Sequence, residues 1–115
     1  MQLPSTFDDL IAEANKNKLY KKLISQLNKD FILANIDIGF DQEILPTSLK
    51  YLLHEKVYEL IQEKFSDYLN LLYIIDVSED KVKLLDGSDV LKLAEQVSFL
   101  ILQREWQKVW YKNTH

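Results

Sequence analysis

The chain has 115 residues, enough for one domain with a real core, and its 47% hydrophobic and 28% charged content is close to globular averages. It contains no cysteine, which excludes disulfides, thiolate catalysis and cysteine-based zinc sites, and only two Gly and two Pro, too few for the turns of a β-sandwich or barrel. The net charge of −4 is unevenly spread: residues 15–29 carry five lysines and no acid, whereas residues 30–89 carry thirteen acids against five lysines.

Ser5 and Thr6 precede Phe7, Leu10, Ile11 and Ala14, a cap followed by a short amphipathic helix. Leu19, Tyr20, Leu23, Ile24, Leu27 and Phe31 then repeat at three and four, with Lys18, Lys22, Ser25 and Lys29 on the opposite face. Residues 32–46 break the period. Ile36, Ile38 and Phe40 alternate with Asp37, Gly39 and Asp41, which reads as an extended loop packed onto the core rather than a paired strand.

Pro46 closes that segment, and Thr47 or Ser48 caps a helix whose buried stripe is Leu49, Leu53, Val57, Leu60, Ile61 and Phe65. Ser66–Asp67 restarts a nearly all-apolar helix over Tyr68–Ile75, expected to be central. Ser78 caps a further short helix with acids in its first turn, Gly87 is expected as its C′ residue, and Ser88 as the cap of the last helix. A β-hairpin over 71–85 is the rival reading. The overall expectation is an all-α single domain, residues 1–115, built as a compact bundle of four to six helices, with that hairpin as an α+β alternative.

Residues 89–112 form the longest helical pattern, and at about 100° per residue its apolar face changes side. Val90, Leu93, Ala94, Val97, Leu100 and Ile101 share one face, which then continues as Arg104, Lys108 and Lys112. Phe99, Leu102, Trp106, Val109 and Trp110 lie on roughly the other side. That second stripe either completes the core or meets a partner, which includes a second copy of the chain.

Catalytic constellations are scarce. His115 is terminal and expected to be mobile. His54 stands at the edge of a buried stripe near Tyr58, and Tyr58 occupies the place where a zincin motif needs its second histidine. Two glycines cannot form a phosphate-binding glycine loop. The Glu55, Glu59, Glu63 ridge and the loop acids Asp37, Asp41 and Glu43 read as solvated faces, so no cofactor or metal is expected.

The expected function is that of a non-catalytic cytoplasmic protein-interaction or structural domain. It would self-associate or bind a protein partner through Phe99, Leu102, Trp106, Val109 and Trp110. The N-terminus lacks a signal-peptide pattern, and the longest apolar runs are far short of a membrane span. Two alternatives stay open. A nucleic-acid or anion-binding module would use Lys18, Lys22, Lys29, Arg104, Lys108 and Lys112. A small helical enzyme would use His54 with Tyr58, or the glutamate ridge.

Overall fold

The computed structural model describes residues 2–114, and the helical reading holds throughout them: six helices are present and no strand is. The first, α1 (Phe7–Lys16), opens as the sequence implies. Thr6 Oγ1 accepts a hydrogen bond from Asp9 N at 3.1 Å, and Asp8 and Asp9 occupy the first turn, where the helix dipole favours acids. α2 spans Tyr20–Leu33 and buries Leu23, Ile24, Leu27 and Phe31, together with Gln26 and Asp30.

Residues 34–45 form the extended, anchored loop that the sequence suggests. Ile36 is buried and Ile38, Phe40 and Ile44 are half-buried. The loop runs back along α2. Asn28 donates to Phe40 O at 2.8 Å and accepts from Phe40 N at 3.0 Å, and Tyr20 Oη donates to Ile44 O at 2.6 Å. This return places the start of α3 (Pro46–Glu63) near the start of α2. Pro46 itself is the first helical residue and needs no N–H there, so the expected Thr47 or Ser48 side-chain cap is absent.

α4 (Phe65–Ile75) follows after a single residue, Lys64, and departs from expectation in two ways. Phe65 begins α4 and is exposed, instead of ending the α3 stripe. The helix is also not buried all round: Tyr68, Leu71, Leu72 and Ile75 face the core, while Leu69 and Tyr73 face outward. The alternative hairpin over 71–85 does not form. Ser78 instead caps α5 (Glu79–Lys83), accepting from Lys81 N at 3.4 Å.

α6 (Val90–Thr114) packs against α1, α2, α3 and α4. Its cap is Asp89 rather than Ser88, because the Asp89 carboxylate accepts from Lys92 N at 3.2 Å. Lys22, Gln26 and Asp30 of α2 bond to Asn113, Lys112 and Lys108 respectively, so α2 and α6 run antiparallel. One hydrophobic cluster includes residues from every helix except the short α5, whose Val82 packs against its edge. The radius of gyration, 13.3 Å, is that of a compact chain of this length.

Helix ends follow a chemistry that the glycine content concealed. Lys18, Asn35 and Asp76 all adopt φ near +60°. Each is followed by a buried apolar residue whose N–H reaches back five residues: Leu19 to Ala14 O, Ile36 to Phe31 O and Val77 to Leu72 O. These are Schellman ends built without glycine, and their hydrophobic C″ residue ties each helix terminus to the core. Gly87, expected in this role, has no positive φ. Lys18 carries the largest conformational cost of the three, since asparagine and aspartate tolerate the left-handed region better. Lys18→Gly is therefore expected to stabilise the fold by about 0.5–1 kcal/mol after the added unfolded-state entropy is counted. Thermal unfolding followed by circular dichroism checks this, and a lowered midpoint would count against the relief of backbone strain.

Candidate functional sites

Three regions gather chemistry: a buried polar seam between α2 and α6, a cleft around His54, and a groove beside α4 and α5.

In the seam, α6 presents charged residues toward the core. Its buried positions, Ala94, Val97, Ser98, Ile101, Leu102, Glu105, Trp106 and Val109, sweep about half the helix circumference. Glu105 lies inside that arc with 0% exposure. Facing it from α2 is Asp30, also buried, whose Oδ2 accepts from Lys108 Nζ at 2.8 Å. Gln26 Nε2 donates to both Asp30 oxygens at 3.1 Å, and Gln26 Oε1 in turn accepts from Lys112 Nζ at 2.8 Å. Lys108 Nζ also lies 3.2 Å from Glu105 Oε1, yet neither Glu105 oxygen accepts a well-formed hydrogen bond.

Protonation resolves this. Burial, and then a hydrogen bond to the neighbouring Asp30 carboxylate, push the Glu105 carboxyl up to about 9, with Lys108 opposing. A protonated Glu105 donates to Asp30 instead of needing a donor. Burial alone would raise Asp30, but bonds from Glu105, Lys108 and Gln26 outweigh it and hold Asp30 below the ordinary carboxylate range. The seam therefore holds one proton between two carboxyls and one ammonium against them, an arrangement with no net buried charge.

The sequence-defined cationic residues are divided by this geometry. Arg104 donates to Asp76 O and Asp76 Oδ2, both at 3.1 Å, and Lys22 Nζ to Asn113 Oδ1 at 2.6 Å. Lys108 and Lys112 belong to the seam, while Lys18 and Lys29 are exposed. Of the aromatic stripe, Leu102, Trp106 and Val109 are core residues, and Phe99 and Trp110 are half-buried. Trp106 and Trp110 stack obliquely with ring centroids 6.1 Å apart.

The cleft around His54 has a volume of about 360 Å³. Phe7, Leu85, Phe99 and Leu100 contribute its apolar walls, and Lys50, His54 and Glu95 its ionisable groups. Lys50 Nζ stands 5.3 Å from the centre of the Phe7 ring. His54 makes no hydrogen bond among the described residues, not even to Tyr58, whose Oη instead accepts from Gln62 at 3.3 Å. Burial lowers the His54 pKa; Glu95 opposes this and Lys50 reinforces it. His115 lies outside the described residues.

Glu55 and Glu59 border a hollow that also includes Asp37 and Asp41 of the loop. No three carboxylate or imidazole groups among the described residues come together at metal-binding spacing.

The groove of α4 and α5 encloses about 680 Å³ and is lined by Leu69, Leu72, Tyr73, Val77 and Val82, with Asp76, Glu79 and Lys83. Beside it, Phe65, Leu69 and Tyr73 recur every four residues as an exposed stripe; Tyr73 is 83% exposed, and Leu84 beyond α5 is 86% exposed. The sequence does not reveal this surface, because an all-apolar helix reads as buried.

The fold and these three regions define an all-helical domain with a polar seam inside it and apolar surface beside its acidic stretch. No protein-family model, curated protein or solved structure matches the chain. No helix among the described residues is long and apolar enough to cross a membrane.

Proposed function

We propose that this chain is a non-catalytic, cytoplasmic interaction domain that docks an amphipathic helix of a partner protein in the groove of α4 and α5. The observation that carries this reading is the apolar stripe Phe65, Leu69 and Tyr73, which stays 51–83% exposed among the described residues while Tyr68, Leu71, Leu72 and Ile75 of the same helix are buried. A row of apolar side chains at four-residue spacing beside a groove suits a helix that presents anchors at the same spacing.

Charge selects the partner. Residues 63–89 contain seven acids and three lysines, and Asp67, Glu79 and Asp80 have no ion-pair partner among the described residues. A helix flanked by Lys and Arg complements this rim, whereas a second copy of the whole face would set Asp67, Glu79 and Asp80 against the same acids. Supporting the choice over a nucleic-acid module, Lys108 and Arg104 are already bonded to Asp30 and Asp76, for which a phosphate would have to compete. The absence of cysteine is compatible with the cytoplasmic setting.

The test is an NMR titration with two model peptides of equal hydrophobicity, one with a lysine-flanked and one with a glutamate-flanked Leu stripe. The basic peptide should shift the amides of Leu69, Tyr73 and Val82. Tyr73→Glu should weaken its binding about tenfold or more without changing the thermal midpoint. Equal binding of both peptides, shifts elsewhere on the surface, or self-association through this face in sedimentation would overturn the reading.

A further inference from the structure

The cleft around His54 combines features that the interaction reading does not use. Its apolar walls come from three separate places: Phe7 at the start of α1, Leu85 after α5, and Phe99 and Leu100 on α6. Its charged groups are one cation and one anion, Lys50 from α3 and Glu95 from α6, beside the polar Thr6, His54 and Gln96. These opposite charges do not pair with each other, and neither has an ion pair elsewhere among the described residues. His54, one turn after Lys50 on α3, also lines the cleft and makes no hydrogen bond among the described residues. Two unneutralised charges of opposite sign beside one apolar cleft form a complementary template for a molecule carrying both.

We infer that this cleft binds a small zwitterion with an apolar body, of the class of a free leucine-like or phenylalanine-like amino acid. The ligand carboxylate meets Lys50, its ammonium meets Glu95, and its side chain lies among Phe7, Leu85 and Phe99. A ligand with only a negative head would face Glu95 without compensation, and one with only a positive head would face Lys50 in the same way. Size points the same way, because 360 Å³ lies near the lower end for ligand sites and suits an amino acid better than a nucleotide. The uncharged imidazole of His54 offers the head group a hydrogen bond without adding a third charge.

The experiment is an NMR titration of the full chain with L-phenylalanine, 3-phenylpropionate and 2-phenylethylamine, which share the ring but carry both charges, the negative one or the positive one. L-phenylalanine should shift the amides of Phe7, His54, Glu95 and Phe99 with a Kd on the order of 1 mM. Each singly charged analogue should bind about tenfold more weakly. Lys50→Met should abolish the preference for L-phenylalanine over 2-phenylethylamine, and Glu95→Gln the preference over 3-phenylpropionate. The variants' unchanged thermal midpoints would separate loss of the head-group contact from loss of fold. Equal affinities for the three compounds, or no shift in the cleft at ~10 mM L-phenylalanine, would overturn the inference.

Discussion

Trp106→Ala is expected to destabilise the fold by about 3–5 kcal/mol, because it removes one of the largest fully buried side chains from the meeting point of α6 with the core. Trp106 is 1% exposed and touches Trp110 obliquely, so truncation leaves a cavity that neighbouring helices cannot easily close. Against a typical domain stability of about 5–15 kcal/mol, this is about a fifth of the total or more. The thermal midpoint should fall by about 12–20 °C, by calorimetry or circular dichroism. Trp110→Ala, at a half-buried position, should cost about 1–2 kcal/mol. This contrast bears on the aromatic stripe as a contact surface. A surface tryptophan would leave the midpoint unchanged and alter sedimentation instead. That outcome would reject the core assignment of Trp106.

The distribution of what was legible follows from the same burial. Amphipathic period revealed α1, α2 and α3, because their buried residues are apolar except Gln26 and Asp30 of α2 and their outer faces carry lysine or glutamate. Ser78 marked α5 through its cap, a local chemistry that needs no tertiary information. The loop was legible as a packed segment from Ile36, Ile38 and Phe40, but its anchors were not, since Asn28 looks like an ordinary outward polar position of α2 and Tyr20 like one more member of its apolar stripe.

The second apolar stripe of α6 is legible and its Leu102, Trp106 and Val109 complete the core. The polar side of the helix is less legible for a physical reason, because charged residues such as Arg104, Lys108 and Lys112 ordinarily mark solvent. In the structure Lys108 instead reaches into the seam beside buried Glu105 and bonds to Asp30. A signal was present: Asp30 sits at core spacing with Leu23 and Leu27, and Glu105 at core spacing with Ile101 and Leu102. Each acid alone resembles an exception to the pattern, and only their apposition across two helices distant in sequence gives both a reason. The groove of α4 is the converse case. Residues apolar enough for a core stand on its outside, and no local rule distinguishes that from burial.

Stability should fall as pH rises from about 5 to 8, and Glu105→Gln should remove most of that slope. The folded-state pKa of Glu105, about 9, lies above its ordinary value of 4.5. Between those values the unfolded chain has lost the proton that the folded chain keeps. Its favourable contribution is therefore complete below pH 4.5, declines with rising pH and levels off above about 9. The slope should approach about 1 kcal/mol per pH unit. Asp30 acts in the opposite direction. Its pKa is lowered from 3.8, so its contribution is present above that value and is lost as pH falls through the folded value. Together the two carboxyls place maximum stability in mildly acidic solution. Glutamine imitates the protonated acid, because its amide N–H can donate to Asp30 while its oxygen faces Lys108. At pH 8 Glu105→Gln should consequently stabilise by about 1–3 kcal/mol, whereas Asp30→Asn, which strips Lys108 of its counter-charge, should destabilise by about 3 kcal/mol. Urea unfolding of the three proteins at pH 5, 6.5 and 8 reads all of this. A wild-type stability that is flat over this range, or a glutamine variant that keeps the slope, would show that Glu105 is ionised inside the fold and that the shared-proton seam is wrong.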